Sequence, residues 1–299
     1  MPTLNFGQVK RRVMVLAGVD NLTAGILVNQ VSTETLESRS WSFLKAEASL
    51  STRAPKTAGT VALTNATTIT GTGTAFDATD VNSYIRVATD VHFHRITAVV
   101  GQALTIDPAY PGATFTGQAY SVFRHIYTLA SDFRRMLSPV FYRRLSETTL
   151  QELDRIDPRR TFQSNSPLRF AYRGRDSNGV EQIEISPVPS VALVLRYAYL
   201  QTVAEATTDG TTMRLRPDVL IYAAATQGIR ARIVKNPEMA GAGVLLSLAR
   251  EYEAKAERDL QTAIEADFSL AGASQAVRTV GDGGWVGLDT LIDHDVFSP

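Results

Sequence analysis

One long amphipathic stretch, from Pro217 to Phe268, constrains the fold more than any other part of the sequence. Proline suits the first turn of a helix, and the alanine-rich run after it favours the helical conformation. The segment Asn236-Pro237-Glu238 interrupts the pattern and predicts the start of a second helix. Two helices with one apolar stripe each form no closed core, so other segments must cover them. The stripes consist of Tyr222, Ala225, Ile229 and Ile233, and of Leu245, Leu248, Tyr252, Ala256, Leu260 and Ala263.

Composition excludes several classes of protein. A chain of 299 residues predicts two domains, or one domain with a large insertion. Cysteine is absent, which excludes a disulfide framework and a thiol nucleophile. The formal net charge is zero, which argues against a dedicated nucleic-acid-binding protein. No apolar run approaches the roughly 18 residues of a membrane span, and the N-terminus does not resemble a signal peptide. We therefore expect no membrane contact, and assembly in a cytoplasm.

The first half of the chain changes from helical to alternating periodicity. Helices are predicted from Asn5 to Gly18 and from about Thr23 to Arg39, and a strand follows near Leu44 to Thr52. Residues 55–119 then form a block rich in Thr, Gly, Val and Ala with five short strands, which predicts a small barrel or sandwich. We interpret this block as an insertion whose flanking strands, Leu44–Thr52 and Tyr120–Leu129, pair with each other.

A short helix beginning at Ser146 and three more strands precede the long C-terminal stretch. The strands are predicted at Leu168–Tyr172, Gln182–Ser186 and Val191–Leu200. The predicted fold class is therefore α+β: a helical bundle of N- and C-terminal amphipathic helices, a central antiparallel β region and an inserted small β-barrel or sandwich. The predicted domains are residues 1–54 with 120–268 as the core, 55–119 as the inserted module and 269–299 as an extended arm.

Residues with catalytic or binding potential form no recognisable constellation, so no catalytic, cofactor-binding or metal site is predicted. His92 and His94 alternate on a strand as a solvated pair without a third ligand. An acidic group around a predicted helix is interpreted as a solvated face rather than a hydrolase pair. Basic pairs either meet acidic groups of a neighbouring subunit or line a DNA channel. The acidic residues are Glu147, Glu152, Asp154 and Asp157; the basic pairs are Arg134-Arg135, Arg143-Arg144 and Arg159-Arg160.

The order of elements, together with several short motifs, resembles the bacteriophage head-to-tail adaptor family, also called connector or neck proteins. The block from Gly59 to Tyr120 is similar to a small β module inserted in many phage neck and tail proteins. The resemblance spans about Asn5 to Phe268. Its motifs are Ile26-Leu27-Val28-Asn29, Trp41-Ser42-Phe43, Tyr127 to Met136, Leu153 to Pro158, Ile185 to Pro189, and Arg216 to Leu220.

The resemblance implies a structural virion protein that is not an enzyme. Such proteins form a dodecameric ring beneath the portal protein, extend the DNA channel and dock a tail, nozzle or tail-tube protein. Duplex DNA would pass without sequence readout, and a neutral chain suits a channel that must not grip phosphates. A ring also needs a second helix face between neighbours, and Ile221, Ala224 and Gly228 form a small-residue face that we expect to serve there.

The C-terminal segment after Phe268 departs from the helical pattern but remains rich in apolar residues. Burying about seven apolar side chains stabilises by roughly 10–20 kcal/mol, whereas ordering some sixteen residues costs roughly 16–32 kcal/mol. We therefore expect it to order against the portal or a neighbouring subunit; the alternative is that it folds back on its own subunit. The expected contact residues are Trp285, Leu288, Leu291, Ile292 and Phe297.

Two other functions compete with an adaptor in the virion neck. One is a glycan-binding or host-contact tail protein that acts through the β insertion. The other is a wall-degrading hydrolase that uses the acidic group. Both leave the predicted architecture unchanged, so they differ from the adaptor hypothesis only in where the chemistry lies.

Overall fold

A computed structural model describes residues 4–88, 90, 92–138 and 145–281, and it has the predicted α+β class. The described residues contain five α-helices and mostly antiparallel strands. The helices are α1 (Phe6–Ala17), α2 (Asn21–Glu37), α3 (Leu150–Ile156), α4 (Pro217–Lys235) and α5 (Ala242–Gly281). No single described helix is long and apolar enough to cross a membrane; α1 and α2, bent by 109°, satisfy length and composition only as a pair.

The chain divides into two compact units. Unit 1 combines residues 1–44 with 203–299, and unit 2 is the continuous segment 45–202. All helices except α3 belong to unit 1, and all the named strands belong to unit 2. These bounds differ from the predicted division into a core, an inserted module and an arm, which stays a prediction.

Unit 1 is built around α4, which packs against α1, α2 and α5. Ala225 and Ile229 of the predicted α4 stripe are buried together with Ala17 and Ala249. The N-terminus of α1 is capped by Asn5, whose side chain accepts a 2.9 Å hydrogen bond from the Gln8 backbone N–H. Both predicted N-terminal helices are present, and α1 ends at Gly18, whose φ of 62° suits glycine.

Six strands of unit 2 form one antiparallel sheet that curls into a half-barrel. Backbone bridges between Lys56 and Val122, and between Val61 and Gln118, connect its two edges. The barrel core includes Ile69, Ile85 and Leu104. In sheet order the strands are β2 (Thr60–Asn65), β3 (Thr68–Thr72), β6 (Ala103–Asp107), β5 (His94–Val100), β4 (Tyr84–Val87) and β7 (Tyr120–Phe123).

The remaining strands of unit 2 form three smaller sheets. In the first, β15 (Val194–Gln201) lies between β1 (Lys45–Ser51) and β9 (Phe133–Ser138). The second has the order β10 (Ser146–Glu147), β12 (Arg169–Arg175), β13 (Glu181–Ser186) and β8 (Ile126–Thr128). The third pairs β11 (Gln163–Ser164) with β14 (Val188–Pro189). Residues of the first two sheets, among them Leu195 and Phe170, share one buried core.

The structure corrects several predicted element boundaries and one predicted pairing. The strands flanking the barrel do not pair with each other, because β1 pairs with β15 whereas β7 pairs with β4. Helix α3 is capped by Thr149 rather than Ser146, which lies in β10. Helix α5 begins at Ala242, after a turn that includes Pro237, rather than at that proline. It continues to Gly281, where the sequence pattern predicted an extended arm.

Candidate interaction surfaces of the helical unit

The residues predicted to face a neighbouring subunit from α4 are buried in their own chain. Ile221 and Ala224 are almost completely buried. A Cβ atom on Gly228 would lie 2.8 Å from Cβ of Ala17 and 3.2 Å from Cδ1 of Leu27. The close approach of α4 to the N-terminal helices therefore explains the glycine. This packing within one chain argues against a ring interface on this face, and the interface itself stays a prediction.

A groove on unit 1 runs along α2 and has a volume of about 580 Å³. Phe6 and Lys10 of α1 form one wall, Leu22 and Ile26 of α2 are part of another, and residues 205–207 form the third. Leu22 is 74% exposed and Ile26 is 58% exposed. These two side chains are four residues apart on α2, so they form an exposed apolar strip along the groove.

Polar contacts fix the third wall of this groove. The Asn29 side chain accepts a 3.1 Å hydrogen bond from the Ala206 backbone N–H and donates one of the same length to the Ala206 carbonyl. The Nζ atom of Lys10 lies 2.6 Å from Oδ1 of Asp209. Because Asp209 balances the charge of Lys10, the lining charges left are the exposed carboxylates of Glu34 and Glu205. The groove is therefore apolar with an acidic rim.

The exposed side of α1 has the opposite character. Arg11, Arg12 and Val15 are exposed, and Val15 reaches 82%. Val15 lies three residues after Arg12 and four after Arg11, so the three side chains share one side of the helix. Val15 lies nine residues after Phe6, about two and a half helical turns, so it faces away from the groove. We call Arg11, Arg12 and Val15 the basic face of α1.

The part of α5 around Asp267 is hydrogen-bonded to Ser42, in the segment that follows α2. The carboxylate of Asp267 accepts hydrogen bonds of 3.0 and 3.1 Å from the Ser42 backbone N–H, and another from the Ser42 hydroxyl. The guanidinium of Arg39 lies 5.1 Å from the ring centroid of Trp41 and 5.3 Å from that of Phe268. Phe268 is still 66% exposed. The predicted arm residues Trp285, Leu288, Leu291, Ile292 and Phe297 lie outside the described residues.

His92 and His94, the candidate metal ligands, both contact the carboxylate of Asp90. His94 is buried rather than solvated, with Nε2 3.0 Å from Oδ2 of Asp90 and Nδ1 2.9 Å from the Pro108 carbonyl. Nδ1 of His92 lies 3.2 Å from the other oxygen of Asp90. Burial would raise the pKa of Asp90, but hydrogen bonds from His92 and His94 outweigh it, so that pKa lies below its ordinary value. Within the described part of the chain, no three metal-ligating side chains converge.

The acidic group around α3 is only partly solvated. Asp154 pairs with Arg160, and Glu152 lies 2.8 Å from Nη2 of Arg155. Asp157 is buried and accepts a 2.7 Å hydrogen bond from the Phe162 backbone N–H. Each of these three carboxylates thus has a structural partner, and the interpretation as a solvated acidic face holds for Glu147 but not for Asp157.

The basic pairs also separate into different environments. Arg134 and Arg135 lie on β9, and Arg143-Arg144 lies outside the described residues. Arg160 is buried, and its Nε donates to Oε1 of Glu184, so it lines neither a DNA channel nor a subunit surface. Sequence reasoning missed this cluster because Arg160 and Glu184 lie in separate elements, and no local pattern connects them.

Comparison with known proteins identifies no family for this chain. No protein-family model matches the chain, and no curated protein is significantly similar to it.

Proposed function

We propose that this chain is a head-to-tail adaptor of a tailed bacteriophage, a structural protein rather than an enzyme. Twelve copies form a ring beneath the portal protein in the neck of the virion, extend the channel for duplex DNA and dock the tail machinery. The chain is made in the host cytoplasm and takes part in viral assembly and DNA ejection. The motif order described above, from Ile26 to Leu220, is the sequence basis of this proposal.

One structural observation carries the proposal: unit 1 leaves large apolar side chains exposed on several of its helices. They are Val15 on α1, Leu22 and Ile26 on α2, Val234 on α4, and Val244, Leu246 and Phe268 on α5. Where such side chains lie close together, as Leu22 and Ile26 do on α2, a further subunit can cover them. The unit is therefore suited to contacts with further subunits, as a ring requires.

The free energies of apolar burial and of association favour a closed ring over an isolated pair of subunits. Fully burying one such side chain stabilises an association by roughly 1.5–3 kcal/mol. Bringing two proteins together costs roughly 4–15 kcal/mol in lost translational and rotational freedom. A contact that buries a few of these side chains is accordingly weak. Closure gives each copy two neighbours, and assembly on a portal ring adds avidity.

The finer architecture belongs to the same proposal. The helices of unit 1 form the bundle that contacts neighbouring copies, and the half-barrel of unit 2 is an inserted module on the adaptor core. The arm with Trp285, Leu288, Leu291, Ile292 and Phe297 contacts the portal or a neighbouring subunit. The arm was predicted as residues 269–299, and the five contact residues follow the end of α5 at Gly281 in sequence.

The test mixes the purified chain with a portal ring and images the mixture by electron microscopy. We expect an additional ring of twelve copies on one face of the portal. A matched sample that lacks residues 281–299 separates the arm from the rest of the chain, and we expect weaker attachment with an unchanged ring. A chain found in the particle at any place other than the junction of head and tail would contradict the proposal.

A further inference from the structure

Two surfaces of unit 1 are complementary in charge and lie on different sides of the unit. The basic face of α1 carries Arg11 and Arg12 beside the exposed Val15. The α2 groove carries Glu34 and Glu205 beside the exposed Leu22 and Ile26. Each surface thus combines apolar side chains with charges of one sign, and the signs are opposite.

We propose that the basic face of α1 in one copy of this chain docks into the α2 groove of the next copy. The proposal rests on the proposed ring and assigns its subunit interface to a surface other than the α4 face. Val15 contacts Leu22 and Ile26 of the neighbour, while Arg11 and Arg12 pair with its Glu34 and Glu205.

Helix geometry permits both contacts at the same time. Ile26 and Glu34 are eight residues apart, which corresponds to about 12 Å along α2. Val15 and Arg11 are four residues apart, about 6 Å along α1, and the long arginine side chain extends the reach. If α1 of one copy runs antiparallel to α2 of the next, Val15 lies over Ile26 and Arg11 points towards Glu34. The other relative direction would carry Arg11 away from that carboxylate.

The arrangement also determines the symmetry. Phe6 and Lys10 face the groove of their own copy, and Val15 faces away from it, so one copy offers both surfaces at once. Contacts between two different surfaces are heterologous, and they close into a ring when the rotation permits. A two-fold dimer would have to place both surfaces of each copy in one interface, and their positions on different sides of the unit oppose this.

Cysteine cross-linking tests this geometry directly, because the chain contains no cysteine. We would prepare Val15→Cys and Ile26→Cys as single variants, mix them, oxidise the mixture and analyse it under non-reducing conditions. A disulfide forms only when the two Cα atoms approach to roughly 4–7 Å. We expect the mixture to give a dimer of the two different variants, and neither variant alone to give one. The double variant should give a ladder of covalent oligomers.

Val100→Cys provides the matched control, because Val100 is 77% exposed and belongs to unit 2 rather than to either surface. Mixed with Ile26→Cys, it should give no dimer above the level of random collision. Equal cross-linking of this control would overturn the proposal. So would homodimers of Val15→Cys, which indicate a symmetric interface, and so would a mixture that stays monomeric at every concentration tested.

Charge reversal tests the pairing between arginine and glutamate. Arg11→Glu with Arg12→Glu should lower the yield of the 15–26 cross-link about tenfold, since like charges across an interface oppose docking. Glu34→Arg with Glu205→Arg should do the same. Mixing the reversed basic face with the reversed groove should restore the yield. Failure to restore it would contradict the pairing.

The cross-link needs no portal, so its failure and that of the proposed function can be told apart. If the cross-link between positions 15 and 26 forms in solution but the chain does not bind portal rings, the result supports this interface and contradicts the adaptor function. A chain that forms a ring on the portal without that cross-link supports the adaptor function and overturns this interface.

Discussion

The hydroxyl of Tyr199 donates a 2.8 Å hydrogen bond to Oδ1 of Asp132. Oδ2 of Asp132 accepts a 2.7 Å hydrogen bond from Gln201 Nε2, and its backbone carbonyl accepts one of 2.7 Å from the Thr202 backbone N–H. Asp132 thus holds the end of β15 next to β9. These contacts explain an aspartate at this position, because its carboxylate and its carbonyl together accept three hydrogen bonds from β15 and the residue after it.

The environment of Tyr199 predicts that its hydroxyl ionises at a higher pH than that of an ordinary tyrosine. Burial, and then the hydrogen bond to Asp132, raise the pKa of Tyr199 to about 12, and burial raises the pKa values of Tyr127 and Tyr172 to about 12. Tyrosines in an unfolded chain have a pKa of about 10. The stabilisation from keeping these hydroxyls neutral is therefore complete below about pH 10 and is lost as the pH rises through about 12.

Ultraviolet absorbance of tyrosinate measures this titration. Asp132→Asn removes the negative charge beside Tyr199, so one tyrosine should ionise at lower pH than in the unchanged protein. Asp107→Asn, at an exposed position, is the control and should leave the curve unchanged. Superimposable curves for all three proteins would contradict the assignment.

Because His125 is buried, we expect the protein to lose stability in mild acid. Its ring lies among aromatic rings, with centroids 4.5 Å from Tyr84 and 5.6 Å from Phe123. Burial, and then the positive charges of Arg160, Arg173 and Arg86, lower its pKa well below the ordinary value. Stability from the neutral ring is therefore present above about pH 6.5 and is lost as the pH falls through the folded pKa.

Urea unfolding of His125→Phe at neutral and mildly acid pH tests this. The phenylalanine keeps the aromatic packing, so the difference in the free energy of unfolding between the two pH values should shrink. A His125→Phe protein with an unchanged pH dependence would show that His125 is not the group responsible.

Glu184 should be one of the least replaceable residues of unit 2. Its side chain is fully buried and accepts hydrogen bonds from Arg160 and Arg173, the second at 2.6 Å. Glu184→Gln removes the buried one of the two carboxylates that pair with Arg160 and leaves the exposed Asp154, which should lower the free energy of unfolding by up to roughly 3–5 kcal/mol. Glu181→Gln on the same strand removes a more exposed 3.4 Å pair with Arg175 and should change it by less than about 1 kcal/mol. Equal effects in urea unfolding would contradict this difference.

Gly228 distinguishes internal packing from a subunit interface on α4. Gly228→Leu forces a side chain against Ala17 and Leu27, so the free energy of unfolding should fall by roughly 1–3 kcal/mol. Ala231→Leu, on the exposed side of the same helix, should have little effect. If Gly228 faced a neighbouring subunit instead, its replacement would change assembly and leave the thermal unfolding of the free chain unchanged.

Asp267 should hold α5 to the segment after α2. Asp267→Ala leaves the Ser42 N–H without its carboxylate, so we expect a loss of roughly 1–3 kcal/mol in local stability. Hydrogen exchange should accelerate in α5 around residue 267 and much less near Ala249. Glu265→Ala, two residues earlier and exposed, is the control. Unchanged exchange in Asp267→Ala would show that other contacts hold this end.

Patterns within one element could be predicted from the sequence, and relationships between elements could not. The span of α1 and its end at Gly18 follow from local patterns, and both match the structure. The α4 stripe was also correct. The burial of Ile221 was missed because one helix sequence does not reveal how many neighbours surround it, and α4 has three.

The candidate surfaces show the same limit. Leu22 and Ile26 are ordinary core residues by pattern, and only the fold shows that they remain exposed beside residues 205–207. Likewise, the pairing of β1 with β15 joins residues about 150 positions apart, for which sequence periodicity gives no register. Local periodicity states which face is apolar but not what covers it.

The two bridges that connect Lys56 to Val122 and Val61 to Gln118 bear on how the chain behaves when many copies are crowded together. Unpaired strand edges act as templates for fibrillar aggregation between identical molecules. By pairing backbone groups at both margins of the curled sheet, the bridges remove part of that template. This sheet therefore offers less unpaired backbone to a second copy than an open sheet of six strands would.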